Sequence, residues 1–338
     1  MSKPRVAVGS LGGTITMTSD GATAVTPTLL AADLVAAVPA LADAAALQTQ
    51  TLAVLPGASL SHADVLGALA WARGAVDDGA EGVVLVQGTD TLEETAYLLD
   101  LFWDRPQALV VTGAMRSPQQ AGSDGPANLL AAVLTAAQRD SDGLGVLVVL
   151  NDEVHAAVRV AKGHSMAVDA FHSPVFGPLG RLVESRVVYG NRPNRQPHLP
   201  MSVTTAAEPR VALLTTHLGD RGELLQLVLD AGYDGVVLAG LGVGHVSATV
   251  AELVGKAAEH VPVVLGSRVG AGPTATRTYG FAGSESDLIA RGAVPAGWLT
   301  PVKARLLLWS LLRLGCSPSR VGAEFADRGG RPSGPEDR

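Results

Sequence analysis

Val83-Val84-Leu85-Val86-Gln87-Gly88-Thr89-Asp90-Thr91-Leu92-Glu93-Glu94-Thr95 reads as a strand, a tight turn and a helix start. The branched apolar residues 83–86 have the pattern of a strand buried on both faces in a parallel sheet. Gly88 breaks that strand. Asp90 with Glu93, or Thr91 with Glu94, has capping-box spacing ahead of the apolar run Ala96-Tyr97-Leu98-Leu99. In an open α/β sheet such a turn sits at the carboxyl end of a strand, where ligands bind. It places backbone N–H groups and the positive helix end beside Thr89, which suits a carboxylate or a developing oxyanion. An ordinary βα loop with a good cap shares the pattern.

Upstream, Arg5-Val6-Ala7-Val8 is a short strand running into Gly9-Ser10-Leu11-Gly12-Gly13-Thr14-Ile15-Thr16. The glycines allow close approach of backbone to a ligand. The spacing is not GxGxxG, and no acidic residue follows at the dinucleotide distance, so a nucleotide cofactor has weak support. Thr14 has two readings: a hydroxyl held open as a nucleophile, or a turn threonine satisfying its own backbone. Residues 16–28 are polar and Thr-rich, with Asp20-Gly21 as a turn signal, and read as a mobile loop or lid. A helix is expected over 29–38, stopped at Pro39, and a strand over 51–55. Ser61 caps a helix whose apolar stripe is Val65, Leu69, Ala72 and Val76.

Downstream, strands are expected at 108–111 and 145–150. A helix starts near Asp124-Gly125-Pro126, and Asn151-Asp152 opens a hairpin-like piece leading to Lys162. Strands alternating with helical patterns mean a doubly wound, mostly parallel sheet. Residues 191–209 hold Pro193, Pro197, Pro200 and Pro209 and read as a linker. Strands at 211–215, 235–239 and 261–265, and a helix from Thr300-Pro301 to Leu314, form a smaller second set. The expected organisation is α/β in two domains: a larger N-terminal catalytic domain (1–190), the linker, and a smaller C-terminal domain (210–327). A disordered tail (328–338) follows, rich in Gly, Pro and charge.

Composition narrows the function. The chain has 338 residues, 47% of them hydrophobic, and a net charge of −7; its mean hydropathy is +0.27. No apolar run approaches the roughly 20 residues that span a bilayer, so no membrane partner is expected. The start lacks a signal-peptide pattern, which points to the cytoplasm. One cysteine, Cys316, leaves no internal disulfide or thiolate metal cluster. An acidic balance without a basic block argues against nucleic acid. Lysine is scarce: Lys3, Lys162, Lys256 and Lys303 stand among 25 basic residues.

Five motifs in order resemble the bacterial-type L-asparaginase and glutaminase-asparaginase family. They are Leu11-Gly-Gly-Thr14-Ile15, Gln87-Gly-Thr89-Asp90-Thr-Leu-Glu-Glu-Thr-Ala96, Gly113-Ala-Met-Arg116 with Asp124-Gly-Pro126, Asn151-Asp152 with Lys162, and Leu299-Thr-Pro-Val-Lys303-Ala304. Asp230-Ala-Gly-Tyr-Asp-Gly235 before Ala239-Gly-Leu-Gly242 is similar to the family's second domain. The resemblance implies hydrolysis of a small-molecule amide without a cofactor or metal. It also implies a homodimer or homotetramer with sites at subunit interfaces. Thr14 is similar to the family's acylated threonine. Thr89, Asp90 and Lys162 match a second triad, in which lysine activates the Thr89 hydroxyl or a water and Asp90 binds the substrate amine. Lysine suits that role because, unlike arginine, its pKa shifts readily on burial.

The specificity half departs from the family. The lid tyrosine that partners the acylated threonine aligns near Ala24 or Val25, and no tyrosine precedes Tyr97. The Ser-Gln pair that holds the substrate's α-carboxylate and α-amine aligns with Ala58-Ser59, leaving Ser59 or Ser61 for the carboxylate. With Gly88, Thr89 and Asp90, these form the expected substrate-binding set. The second-domain asparagine that reaches a neighbouring site aligns with His245, and Glu285 is the nearest match for the lid-triad glutamate. Two functions fit: an amidohydrolase acting on asparagine or a substituted Asn/Gln-type amide through a threonine nucleophile, or a small-molecule sensor that kept the fold and lost turnover.

Overall fold

The computed structural model describes residues 2–19, 25–202 and 208–330. The chain divides into two compact units, Met1–Leu199 and Pro200–Arg338. In the first, eight strands form one sheet. Their order is Arg186–Tyr189, Gly180–Val183, Glu153–Ala156, Val146–Leu150, Leu109–Thr112, Gly82–Val86, Arg5–Gly12 and Ala46–Leu55. The strands from Val146–Leu150 to Ala46–Leu55 run parallel. The remaining three extend the sheet antiparallel. Every residue of Gly82–Val86 is buried, as the unbroken apolar run predicts. Val84 and Val86 pack with Leu129, Ala132 and Val133 of the helix Gly125–Ala137. Each fully buried valine or leucine there contributes about 1.5–3 kcal/mol.

From Arg5–Gly12 the chain goes first to Ala46–Leu55 on one side. It then crosses to Gly82–Val86 on the other and continues outward. This reversal is a topological switch point, and it opens a crevice at the carboxyl ends of those strands.

Local expectations were revised in four places. The strand Ala46–Leu55 begins well before residue 51; its first half, Gln48-Thr49-Gln50, alternates in exposure at the sheet edge and carries no apolar run. Residues 16–28 are not an open loop throughout. Met17–Thr18 pairs with Thr26–Pro27, and the N–H groups of Thr28 and Leu29 both donate to Thr16 O. The turn signal Asp20-Gly21 and Ala24 lie outside the described residues. Neither capping box forms at Thr91. A 3₁₀ turn, Thr89–Thr91, precedes the helix Leu92–Phe102, and the Asp90, Thr91 and Glu93 side chains bind tertiary partners instead. Arg328, assigned to the tail, is the last residue of the helix Pro318–Arg328, and its Nε donates to Glu324.

In the second unit the strands Val211–Thr215, Gly235–Gly240, Val263–Ser267 and Val294–Pro295 form a parallel sheet in that order. Pro301–Arg313 covers one face, with Leu308 and Leu312 closing on Gly235. Gly315 ends that helix region with φ 66°. Among the described residues no helix is long and apolar enough to cross a membrane.

Candidate active site

Three adjacent parallel strands of the first unit end in single 3₁₀ turns: Thr14–Thr16, Gly57–Ser59 and Thr89–Thr91. Glycines weld them together. A Cβ on Gly13 would fall 2.1 Å from Gly88 N, and one on Gly88 would fall 2.7 Å from Gly57 N. Backbone therefore lies directly on backbone, and Gly13 also needs its φ of 91°. Thr91 Oγ1 donates to Gly57 O at 2.9 Å and ties two of the turns together. Each turn begins with amide N–H groups that helical geometry leaves unused. The converging turns thus form a cradle suited to an anion.

Lys162 reaches this cradle from the two-residue strand Ala161–Lys162, paired with Phe171–His172. Its Nζ donates to Thr89 Oγ1 and to Asp90 Oδ1, each at 3.0 Å. Thr89 is buried, the Lys162 side chain is 16% exposed, and the Asp90 side chain is 64% exposed. The ammonium thus bridges an enclosed hydroxyl and a carboxylate open to solvent. Glu93, expected as a capping partner, accepts the Lys162 backbone N–H at 3.3 Å. Its helix position turns it toward the lysine strand rather than back to its own N-terminus.

Of the sequence candidates, Thr14, Ala58, Ser59, Gly88, Thr89, Asp90 and Lys162 lie on these turns or reach them. The turn-satisfying role open to Thr14 falls to Thr16, whose Oγ1 donates to Gly13 O at 2.7 Å. The Thr14 hydroxyl has no hydrogen-bond partner among the described residues. Ala58 and Ser59 are exposed. Ser61 is committed to its helix, exchanging hydrogen bonds with Asp64, so it is not a free carboxylate ligand. His245 and Glu285, singled out for separate reasons, are bonded to each other in the second unit, Nε2 to Oε2 at 3.0 Å. Glu285 is fully buried. Burial opposes its ionisation, but N–H groups of Tyr279 and Thr278 and the His245 ring outweigh that and hold the carboxyl below the usual range. Tyr279 and Phe281 meet the His245 ring edge-on at 4.9 and 5.0 Å.

Sequence reasoning missed two supports. Gln87 is wholly buried under the cradle; its Nε2 donates to Gly88 O at 3.2 Å, and its Oε1 has no partner among the described residues. Asp124, read as a helix start, spends its carboxylate on the N–H groups of Met115 and Arg116 and on Asn128 Nδ2. It thereby braces the neighbouring strand-end loop. The signal was present in its helix-start position, but that pattern does not say which loop a capping carboxylate faces.

Comparison with known proteins agrees with this architecture. The family described as "Asparaginase, N-terminal" matches residues 5–195, and "Glutaminase/Asparaginase C-terminal domain" matches residues 210–325. A probable periplasmic L-asparaginase of Haemophilus influenzae is 36% identical over 96% of this chain and 93% of its own length. L-asparaginase 2 of Escherichia coli is 34% identical, again over 96% and 93%. The crystal structure of a probable cytoplasmic L-asparaginase from Campylobacter jejuni superposes with a TM-score of 0.84 at 30% identity, covering 96% of this chain and 99% of that one. With both domain families matched in order on the two units, the chain belongs to the asparaginase family of amidohydrolases.

Proposed function

We propose that this enzyme hydrolyses the side-chain amide of L-asparagine or a related amide to the acid and ammonia through a threonine ester. The observation that carries this reading is the Lys162 ammonium bridging Thr89 and Asp90 beside the glycine-welded turns. Amide cleavage needs a nucleophile, a proton acceptor and an oxyanion stabiliser. Thr14 supplies the hydroxyl: its oxygen bonds to the amide carbon, the C–N bond breaks, and nitrogen leaves as ammonia with a proton. The oxygen of a water then bonds to the acyl carbon and the ester C–O bond breaks; the water's proton passes through Thr89 Oγ1 to a neutral Lys162 Nζ, and a proton returns to the leaving Thr14 oxygen, which restores both groups. The N–H groups of the converging turns face the developing oxyanion, and Asp90 takes the substrate amine.

Specificity follows from Ala58 and Ser59. Free asparagine carries a charged amine and a charged carboxylate, and each needs a charge-assisted partner once water leaves. The methyl of Ala58 provides none. A missing hydrogen bond to a charged group costs about 1.5–3 kcal/mol, or about ten- to a hundredfold in kcat/KM. Free L-asparagine is then a poorer substrate here than for family members that carry the Ser-Gln pair, and the small Ala58 leaves room for an α-N-acyl substituent. Steady-state ammonia release from L-asparagine, L-glutamine and N-acyl asparagine tests this. A clear preference for free L-asparagine with a micromolar KM refutes the specificity reading. No release from any of them, with clean ligand stabilisation, favours a sensor. We further propose at least a homodimer, with the His245 loop completing a neighbour's site, on the likeness of that loop to the family's second-domain loop.

A further inference from the structure

A row of polar contacts outside the cradle leads to the strand that holds Lys162. His155 is fully buried on Glu153–Ala156, where Val148 is its cross-strand neighbour. Its Nδ1 lies 3.0 Å from Ser173 Oγ, and its Nε2 lies 3.2 Å from Glu153 Oε2. Glu153 stands two residues earlier on the same strand face and also pairs with Arg181. The Nε2–Glu153 contact is one of charge proximity, and the Nδ1–Ser173 contact is the hydrogen bond that joins the main sheet to the ribbon. The order is Arg181, Glu153, His155, Ser173. Ser173 is only 5% exposed, which shuts it off from substrate.

Ser173 directly follows Phe171–His172, the strand paired with Ala161–Lys162. Phe171 is the register partner of Lys162, and Gly163 N donates to Ala170 O at 2.8 Å. The His172 ring lies against Gly163 so closely that a Cβ there would fall 1.8 Å from Cε1. The ribbon has only two residues on each strand, too short to hold its own place. It is anchored on one side by Glu93 at the Lys162 N–H and on the other by Ser173 on His155.

We propose that His155 is a positioning residue for Lys162. It clamps Ser173 to the main sheet, which sets the ribbon at the height where Nζ reaches both Thr89 and Asp90. The inference rests on the reading of Thr89, Asp90 and Lys162 given above. An apolar side chain at 155 would satisfy the core but release Ser173 and let the ribbon shift. A misplacement near 1 Å can cost about a hundredfold in rate.

The test is steady-state ammonia release by the full-length protein with His155→Leu, Ser173→Ala and His155→Asn, beside Lys162→Met. The Asn Oδ1 lies as many bonds from Cα as Nδ1 does and can accept from Ser173. His155→Leu is expected to lower kcat about 10- to 100-fold and to shift the kcat–pH profile. Rates are normalised at each pH to the folded fraction measured by circular dichroism, so pH-dependent unfolding does not enter the profile. Ser173→Ala should move both in the same direction, and it carries the test should His155→Leu fail to fold. His155→Asn should recover most of the rate and the wild-type profile. The proposal is overturned if Ser173→Ala, and His155→Leu when folded, keep kcat within about twofold and a superimposable profile while Lys162→Met is inactive. That result leaves the reading of Lys162 standing. Turnover retained by Lys162→Met overturns that reading instead.

Discussion

Gly88→Ala isolates the contact on which the cradle depends. Gly88 has φ −68° and ψ 143°, which alanine adopts without strain, so any effect must come from the added methyl. That methyl would sit 2.7 Å from Gly57 N, 2.9 Å from Gly57 Cα and 3.3 Å from Gly13 Cα. Ordinary contact begins near 3.4 Å, so the turns must part by roughly 0.7 Å, and backbone on both sides leaves no flexible side chain to yield. Overpacking of this kind costs about 1–3 kcal/mol. For a unit of this size that lowers Tm by about 2–12 °C. A shift of several tenths of an ångström between Thr14 and Thr89 should lower kcat/KM by about ten- to a hundredfold. The assay is calorimetric Tm beside ammonia-release kinetics. The control is Gly67→Ala on the exposed side of the helix His62–Asp77, where no atom lies within 4 Å of the new methyl. That variant should gain about 0.5–1 kcal/mol and keep full activity. Wild-type Tm and kcat/KM in Gly88→Ala would show that the three turns do not need this contact.

Thr89→Val and Lys162→Met should each abolish ammonia release with Tm nearly unchanged; activity within about tenfold of wild type removes that residue from the mechanism. Glu285→Gln should destabilise the second unit by about 1.5–3 kcal/mol at neutral pH, through the lost charged acceptor for His245 and two N–H groups. Because the folded pKa is depressed, the stabilisation is present above the unfolded value near 4.3 and is lost as pH falls through the folded value. Urea titrations of both proteins should therefore converge in acid, and a gap that persists or widens there contradicts this assignment. Light scattering should find at least a dimer, and a monomer fully active at nanomolar concentration rules out a shared site.

The parallel core was legible because buried strands announce themselves as short apolar runs, as at Val83–Val86 and 146–150. The edge strand was half missed because Gln48, Thr49 and Gln50 face solvent alternately and carry no hydrophobic signal. The cap residues were misassigned for a different reason. Thr91 and Glu93 have the spacing to bind their own helix end, but Gly57 O and the Lys162 N–H compete for them, and both partners are far away along the chain.

Residue type and local spacing singled out Thr14 and Thr89 as glycine-flanked threonines at strand ends, and the ordered motifs that resemble the asparaginase family added Asp90 and the rare Lys162. Only folding showed that Thr16, not Thr14, satisfies the first turn, and that His245 and Glu285 belong to each other. The glycines at 13, 57 and 88 serve as a mutual contact, which no reading of each loop alone reveals. Contacts between segments separated by tens of residues are set by sheet order and register, and a switch point brings together ends that sequence distance keeps apart.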